Sequence, residues 1–280
     1  MSAENALYSI LADKIEQNTL VLPLLPEIAL KVRQKASDPK VSLHDLGRLI
    51  SHDATLSLDI IRVANSAALG GIKKVESVQQ AVSRIGLDNI KTIVTAMAIK
   101  QVFTSDNANI SMHINSLWTK TVDVASVAIS LFSFYRQNHR FTPLNSDLLT
   151  LVSLVHNIGV LPILTEAALH EKLFAAPKFL KHAVINLSND IGMKITQAWG
   201  LPDEVTMVVG SWQDLMFHTT DAQYIDFLRA GALHCGIFTN EVTHKNLTAD
   251  YLDKNILPHK HFMQSEEFTE MLTKTKSTFT

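Results

Sequence analysis

The sequence predicts an all-α protein whose helices form two lobes. Apolar residues recur at helical spacing of three and four positions along most of the chain. No alternation of apolar and polar residues that would indicate strands and hairpins occurs with comparable strength. The chain has 280 residues, 46% of them hydrophobic, so it is long and apolar enough to bury a sizeable core. With 10 Gly and 8 Pro, it does not have the composition of a collagen-like or low-complexity chain.

Local signals predict where the first helices begin and end. Pro26 suits the first turn of a helix over residues 26–36, where a missing N–H has no cost. Ser42, followed three positions later by Asp45, has the capping-box pattern that begins the next helix. A third helix is predicted over residues 54–68, ending near Gly70-Gly71. Four of its residues are expected to face inward: Leu58, Ile61, Ala64 and Ala68.

The remaining helices follow from the same rules. Ser77 is expected to cap a helix over residues 78–85, which Gly86 ends, and residues 87–103 are expected to form a nearly buried helix. The polar stretch 104–111 is the candidate boundary between the lobes. Further helices are predicted over residues 117–136, 148–155, 159–168 and 181–199, and from about Asp203 and Asp221 onward.

These elements predict a domain plan. Residues 1–20 form an N-terminal helix, and residues 21–240 form the main domain, with lobes over about 21–105 and 112–240. Residues 241–280 form a C-terminal helical extension that is partly irregular, because its apolar pattern is weak.

Charge and composition limit the partners and the compartment. Subtracting 27 Asp and Glu from 25 Lys and Arg leaves a net charge of −2, so we expect no nucleic-acid partner; Lys73-Lys74 is read as a pair of solvated loop charges. The single cysteine, Cys235, cannot form an internal disulfide, and acidic residues stand where a secretory signal needs basic ones, so a cytoplasmic location is expected. The most apolar run, residues 90–103, is broken by polar residues, so no membrane span is expected.

Several short motifs, in a fixed order, resemble one known family. The first half contains Leu22-Pro23-Leu24-Leu25-Pro26-Glu27-Ile28-Ala29, then Asn65-Ser66-Ala67 and Arg84-Ile85-Gly86-Leu87. The second half contains Leu117-Trp118, then Leu154-Val155-His156-Asn157-Ile158-Gly159, then Trp199-Gly200-Leu201-Pro202. Together these motifs, over about residues 20–240, resemble the HDOD domain, the HD-related output domain of bacterial signalling proteins.

The resemblance implies both a fold and a role. HDOD domains are all-helical relatives of HD-type metal-dependent phosphohydrolases and are generally viewed as having lost the catalytic apparatus. Many are linked to sensory, response-regulator or cyclic di-GMP signalling modules. The resemblance therefore implies a non-catalytic regulatory module, with a signalling protein as partner, in cyclic di-GMP or two-component systems.

The residues at the family's metal-site positions support the loss of catalysis. An HD hydrolase needs several imidazoles and carboxylates converging on one or two divalent ions. At the positions that the resemblance assigns to metal ligands, this chain has His156-Asn157 for the His-Asp pair, Lys120 for the early His and Ser188 for the third His. Trp212-Gln213 stands at the His pair and Gly231 at the terminal Asp. We therefore expect no metal, no cofactor and no hydrolysis, and a degenerate pocket formed by His156, Asn157, Lys120, Ser188 and Trp212.

A second hypothesis remains open at this point. A residual hydrolase acting on nucleotides or cyclic dinucleotides would need an atypical metal site, for example His156 with His182, Asp147 or Asp190.

The other His-rich and thiol positions have structural interpretations. Asp53, after His52, is expected to cap a helix, and His259 and His261 are expected to face solvent. Cys235 is expected to be a buried, inert thiol.

Overall fold

The fold is described from a computed structural model that covers residues 6–66, 73–105, 108–170 and 177–279. Within these ranges all regular structure is helical, which confirms the all-α prediction. The α-helices, numbered along the chain, are α1 (Ala6–Glu16), α2 (Glu27–Ala36), α3 (Leu43–Ile50), α4 (Ala54–Ala64), α5 (Val78–Ile85), α6 (Leu87–Ala98), α7 (Ala108–Asn138), α8 (Ser146–Val155), α9 (Val160–Ala168), α10 (Pro177–Ala198), α11 (Asp203–Ser211), α12 (Tyr224–His234), α13 (Glu241–Asp253) and α14 (Glu266–Lys276). Short 3-10 helices occupy Ile99–Val102 and Phe262–Gln264.

The chain divides into two compact units. The first unit consists of residues 1–24, 100–121 and 155–217, and the second of residues 25–99, 122–154 and 218–280. The units follow chain segments that differ from the predicted lobes, because α7 contributes residues to both: those up to Thr121 belong to the first unit and those from Val122 to the second. The predicted domain limits stay a prediction.

In the first unit, α10 is the central helix. It packs against α1, α9 and α11. A partly buried ion pair also joins α1 to α9: Lys14 Nζ donates to both carboxylate oxygens of Glu166 at 2.7 and 2.8 Å, and His170 Nε2 lies 3.3 Å from one of them. A second tie comes from the indole of Trp199, which donates to the carbonyl oxygen of Pro23 at 3.0 Å.

In the second unit, the predicted helix signals at the start of the chain are confirmed. Ser42 and Asp45 form the capping box of α3, and Asp53 accepts the Leu56 backbone N–H at the start of α4. Ser77 caps α5. Gly86 ends α5 with φ of 85°, a backbone conformation that favours glycine.

The predicted inward face of α4 is partly wrong. Leu58 is 65% exposed, and the buried residues of the helix are Leu56, Ile60, Val63 and Ala64. The helix ends at Ala64, with Asn65 as its C-cap, where a longer helix was predicted; Ala68 and Gly70-Gly71 lie outside the described residues. The direction of the α4 face is set by its packing against α5 and α6, which the single-helix pattern does not contain.

The remaining helices differ from prediction mainly at their ends. The helix from residue 87 ends at Ala98 and continues as a 3-10 turn, and α7 begins at Ala108, within the polar stretch predicted as a boundary. The helix predicted from Asp221 begins at Tyr224. The C-terminal extension consists of α13, a 3-10 turn and α14, joined by irregular segments.

Two segments are apolar and long enough to cross a membrane by length and composition alone: Ile110–Asn138 and Ser146–Ala168. In their most apolar windows, 61% and 83% of the residues are buried inside the protein. The core helices of a soluble protein pass the same test, so this finding is weak evidence for a membrane. Residues 90–103 are thus not the most membrane-like segment, and the expected absence of a span stays a prediction.

Candidate functional site

The five predicted pocket residues all belong to the first unit. His156 and Asn157 form the turn between α8 and α9, Ser188 lies on α10, and Trp212 is the C-cap of α11. Lys120 lies on α7. The first four side chains are buried, with 2%, 9%, 5% and 2% of their surface exposed, respectively.

His156 and Trp212 are in direct contact. Their ring centroids lie 4.9 Å apart and the ring planes are at 88°, an edge-to-face arrangement. Aromatic rings favour this geometry because the positive edge of one ring meets the negative face of the other. The bulky indole therefore packs against the imidazole that remains of the His-Asp pair.

Ser188 lies where α10 and the start of α9 approach most closely. A methyl group added at Gly159 would overlap the backbone carbonyl oxygen of Ser188, and one added at Gly192 would lie 2.6 Å from Val209 Cγ1. Backbone therefore meets backbone at this point. The Ser188 hydroxyl is buried and has no hydrogen-bond partner among the described residues.

Lys120 does not share this environment, because its side chain is exposed. The prediction had included it in the degenerate pocket, from its place in the motif that follows Leu117-Trp118. An ammonium group on a four-carbon chain keeps its hydration at a helix surface. The buried candidate site is thus His156, Asn157, Ser188 and Trp212.

The donor atoms of these four side chains do not fit a divalent metal ion. They offer one imidazole, a neutral amide, a hydroxyl and an indole N–H, which only donates hydrogen bonds. Among the described residues, no group of three or more His, Cys, Asp or Glu side chains is placed to hold a metal. This includes the alternative set of the second hypothesis: His182 and Asp190 are exposed on α10, and Asp147 belongs to the second unit.

Gly231, at the family's terminal Asp position, has a packing reason to be glycine. A methyl group there would lie 2.5 Å from the backbone carbonyl oxygen of Val124, so α12 and α7 pack closely at this point in the second unit. A carboxylate side chain would not fit without moving the helices apart.

The remaining sequence candidates have mixed outcomes. Asp53 caps α4 as predicted, and His259 and His261 are exposed as predicted. Cys235 is exposed at the C-cap of α12, so its predicted burial is wrong. Partial desolvation, with the nearby Asp123 carboxylate, raises the pKa of its thiol to about 11, which keeps the thiol protonated at neutral pH.

Sequence reasoning missed the buried carboxylate of Glu166. Its signal was available: Glu166 is the one charged residue in α9, whose sequence is otherwise apolar apart from Thr165. A charged residue in such a helix is expected to be paired when it is buried. Its partner Lys14 lies 152 positions away, so the pair itself could not be predicted.

The chain matches the profile of the HDOD domain over residues 22–214. A crystal structure of a protein from Shewanella amazonensis SB2B, provisionally named a metal-dependent phosphohydrolase, is 34% identical, with a TM-score of 0.94 over 100% of both chains. A protein from Marinobacter aquaeolei VT8, provisionally named a signal transduction protein, has a TM-score of 0.58 at 18% identity over 99% of this chain and 66% of its own, a likeness of fold.

A curated relative is an uncharacterized protein of Treponema pallidum (strain Nichols), 25% identical over 206 residues. The match covers 70% of this chain and 37% of the relative, so the chain spans well under half of the length of that relative. The profile match and the 34% identity over full length lead to the same conclusion: the chain belongs to the HDOD domain family, which is related to the HD phosphohydrolases.

Proposed function

We propose that this HDOD protein is a non-catalytic signalling module that acts by binding a partner protein or a small ligand. The observation that carries the proposal is the contact of Trp212 with His156 at 4.9 Å between ring centroids. At this position a metal-dependent relative would present a ligand, and here an apolar ring lies against the imidazole.

Energetic reasons support the same function. A divalent ion must be compensated by several anionic or strongly basic ligands before it gives up its hydration shell. Asn157 supplies no charge, and Ser188 would coordinate only as a neutral hydroxyl.

The alternative is a residual metal-dependent phosphohydrolase or phosphodiesterase that acts on nucleotides or cyclic dinucleotides. The provisional name of the 34% identical Shewanella protein favours it. In this chain such an enzyme would have to use ligands other than the buried candidate residues. Its activity would still depend on a bound metal ion, so measurements of metal content and hydrolysis distinguish the two functions.

Metal content and hydrolysis distinguish the two functions. We expect the protein, purified anaerobically and supplied with Mn, Fe, Ni or Zn, to retain far less than one ion per chain. We also expect no hydrolysis of nucleotides or cyclic dinucleotides above a protein-free control. His156→Ala should leave this background unchanged, as should His44→Ala, a substitution of an exposed histidine in α3.

Stoichiometric metal together with hydrolysis that His156→Ala abolishes and His44→Ala preserves would overturn the proposal. If metal and hydrolysis are both absent, affinity capture from the source organism, with Trp212→Ala as the comparison variant, tests for a partner of the non-catalytic module. A partner that depends on the packed site should be lost from the Trp212→Ala capture while the variant keeps its helical circular dichroism.

A further inference from the structure

A cavity lies inside the second unit, formed by α4, α6, α7, α8 and α14. Its volume is about 240 Å³. Its buried apolar lining residues include Ile93, Met97, Ile129 and Phe279, and hydroxyl-bearing residues line much of the rest. An engineered apolar cavity of about 150 Å³ admits benzene, so this cavity has room for an aromatic ring with a short chain attached.

One carboxylate lies in this apolar wall. Asp147, in the first turn of α8, is among the lining residues, and within the described part of the chain no hydrogen bond or ion pair reaches its carboxylate oxygens. The guanidinium of Arg136 is near enough to act on it electrostatically, but Arg136 donates its hydrogen bond to the Ser146 hydroxyl at 3.2 Å. Burial raises the pKa of Asp147 to about 6, with Arg136 opposing.

The other polar groups of the lining do not neutralise this carboxylate. They are hydroxyls, the amide of Gln137 and the ammonium of Lys274. Gln137 and Lys274 are exposed, so they mark the side on which the cavity reaches solvent. A cavity whose surface is mainly apolar and whose lining contains one carboxylate has the character of a ligand site, in which a few polar groups fix orientation and the apolar surface supplies affinity.

We propose that this cavity binds a small organic amine, with its aromatic or short alkyl body among Ile93, Ile129 and Phe279 and its ammonium group on the Asp147 carboxylate. An amine supplies the positive charge and the hydrogen-bond donors that Asp147 lacks in the protein. A carboxylate ligand would meet like charge, and a neutral ligand would leave Asp147 unpaired.

The proposal goes beyond the proposed function and does not depend on it. The cavity belongs to the second unit, whereas the buried candidate site belongs to the first. Part of its wall, Met271 to Phe279, lies outside the residues that match the family profile, so the family alone does not imply this site. The tests of metal content and hydrolysis can give either result whatever the outcome of the amine-binding test.

The test compares matched probes. Binding of 2-phenylethylamine, 2-phenylethanol and 3-phenylpropionate to the full chain is measured by calorimetry and by the shift in thermal unfolding midpoint at pH 7.5. We expect the amine to bind about tenfold or more tightly than the alcohol, the difference that one charge-assisted hydrogen bond supplies, and the acid to bind more weakly than either.

Substitutions then locate the binding. Asp147→Asn should reduce amine affinity about tenfold or more while leaving alcohol binding unchanged. Asp190→Asn, which removes an exposed carboxylate from α10, should change neither. Ser133→Leu fills the cavity from α7 and should remove binding of both amine and alcohol.

Three results would overturn the proposal. The first is equal affinity for amine and alcohol, and the second is amine binding that survives Asp147→Asn. The third is no detectable amine binding at amine concentrations up to about 10 mM. This concentration is above the dissociation constant expected even for a weak site of this kind. Because Asp147→Asn removes a partly buried charge and keeps the shape of the side chain, the variant should fold, and its circular dichroism checks this directly.

Discussion

Polar side chains in apolar surroundings are the residues that most distinguish this chain. Glu166 is buried but compensated, since Lys14 donates to both of its oxygens. Asp147 is only half-buried, and no side chain in the described part of the chain donates to its carboxylate. A buried charge without a partner costs more free energy of folding than a paired charge of the same burial.

The cost of Asp147 should be visible as a pH dependence of stability. Its pKa is about 6 in the folded protein, against an ordinary value of 3.8. The folded protein therefore binds more protons than the unfolded chain between about pH 4 and 6, and stability decreases as the pH rises through this window. A shift of about two units corresponds to about 3 kcal/mol, which partial exposure reduces to about 1–2 kcal/mol.

We therefore expect Asp147→Asn to be more stable than the wild type by about 1–2 kcal/mol above about pH 6.5, or a few degrees in unfolding midpoint. Near pH 4 the difference should vanish. The charged groups near Asp147 are Arg136 on α7 and Lys274 on α14. Thermal unfolding of both proteins from pH 4 to 8 measures the difference in stability between them. A wild type more stable than the variant at pH 7.5 would contradict the prediction.

At the scale of elements, helix contacts in the first unit depend on glycines. Gly159 begins the approach of α9 to α10, where its Cα faces the Ser188 carbonyl oxygen. Gly210, on α11, faces the side chain of Met193 instead. Backbone atoms in a packed helix cannot move aside, whereas a methionine side chain can change rotamer.

The two glycines should therefore respond differently to alanine. Gly159→Ala should destabilise the protein by about 2–3 kcal/mol, because it forces the two helices apart. Gly210→Ala should lie within about 1 kcal/mol of the wild type, since the gain in helix propensity offsets the movement of Met193. Urea unfolding of the two variants measures both changes in the free energy of unfolding. Equal losses of stability at the two positions would show that the close approach at Ser188 is not what constrains Gly159.

What the sequence could predict about the elements follows from the range of the interactions. The caps at Ser42, Asp53 and Ser77 depend on residues within three positions, and all were predicted. The exposure of Leu58 was not predicted, because the buried face of α4 depends on its packing against α5 and α6. The contact of His156 with Trp212 was not predicted either, since it joins residues 56 positions apart, with α9, α10 and α11 between them along the chain.

The candidate cavity shows the same limit more strongly. Its lining comes from α4, α6, α7, α8 and α14, which are spread over more than two hundred residues of the chain. The sequence identified Asp147 only as an acid that could serve an atypical metal site. Its place in the cavity lining depends on the assembled unit, so only the structure could reveal it.

At the scale of the whole molecule, the charges are nearly balanced, and one group of basic residues lies in and beside the loop before α5. The net charge is −2. Lys73 and Lys74 are exposed. The guanidinium of Arg84, in contrast, is hydrogen-bonded to the backbone, since it donates to the carbonyl oxygens of Ala64 and Lys73. Two free ammonium groups neutralise few phosphates, and phosphate neutralisation supplies most of non-specific nucleic-acid affinity.

We therefore expect no nucleic-acid binding by this HDOD protein. A short DNA duplex and a single-stranded RNA should show no mobility shift at about 10 µM protein in about 50 mM salt, conditions that reveal ordinary non-specific binding. Lys73→Gln with Lys74→Gln should give the same result as the wild type. Saturable binding whose affinity falls steeply with salt, and which the double variant loses, would show that the local charge of this loop outweighs the balance of the whole chain.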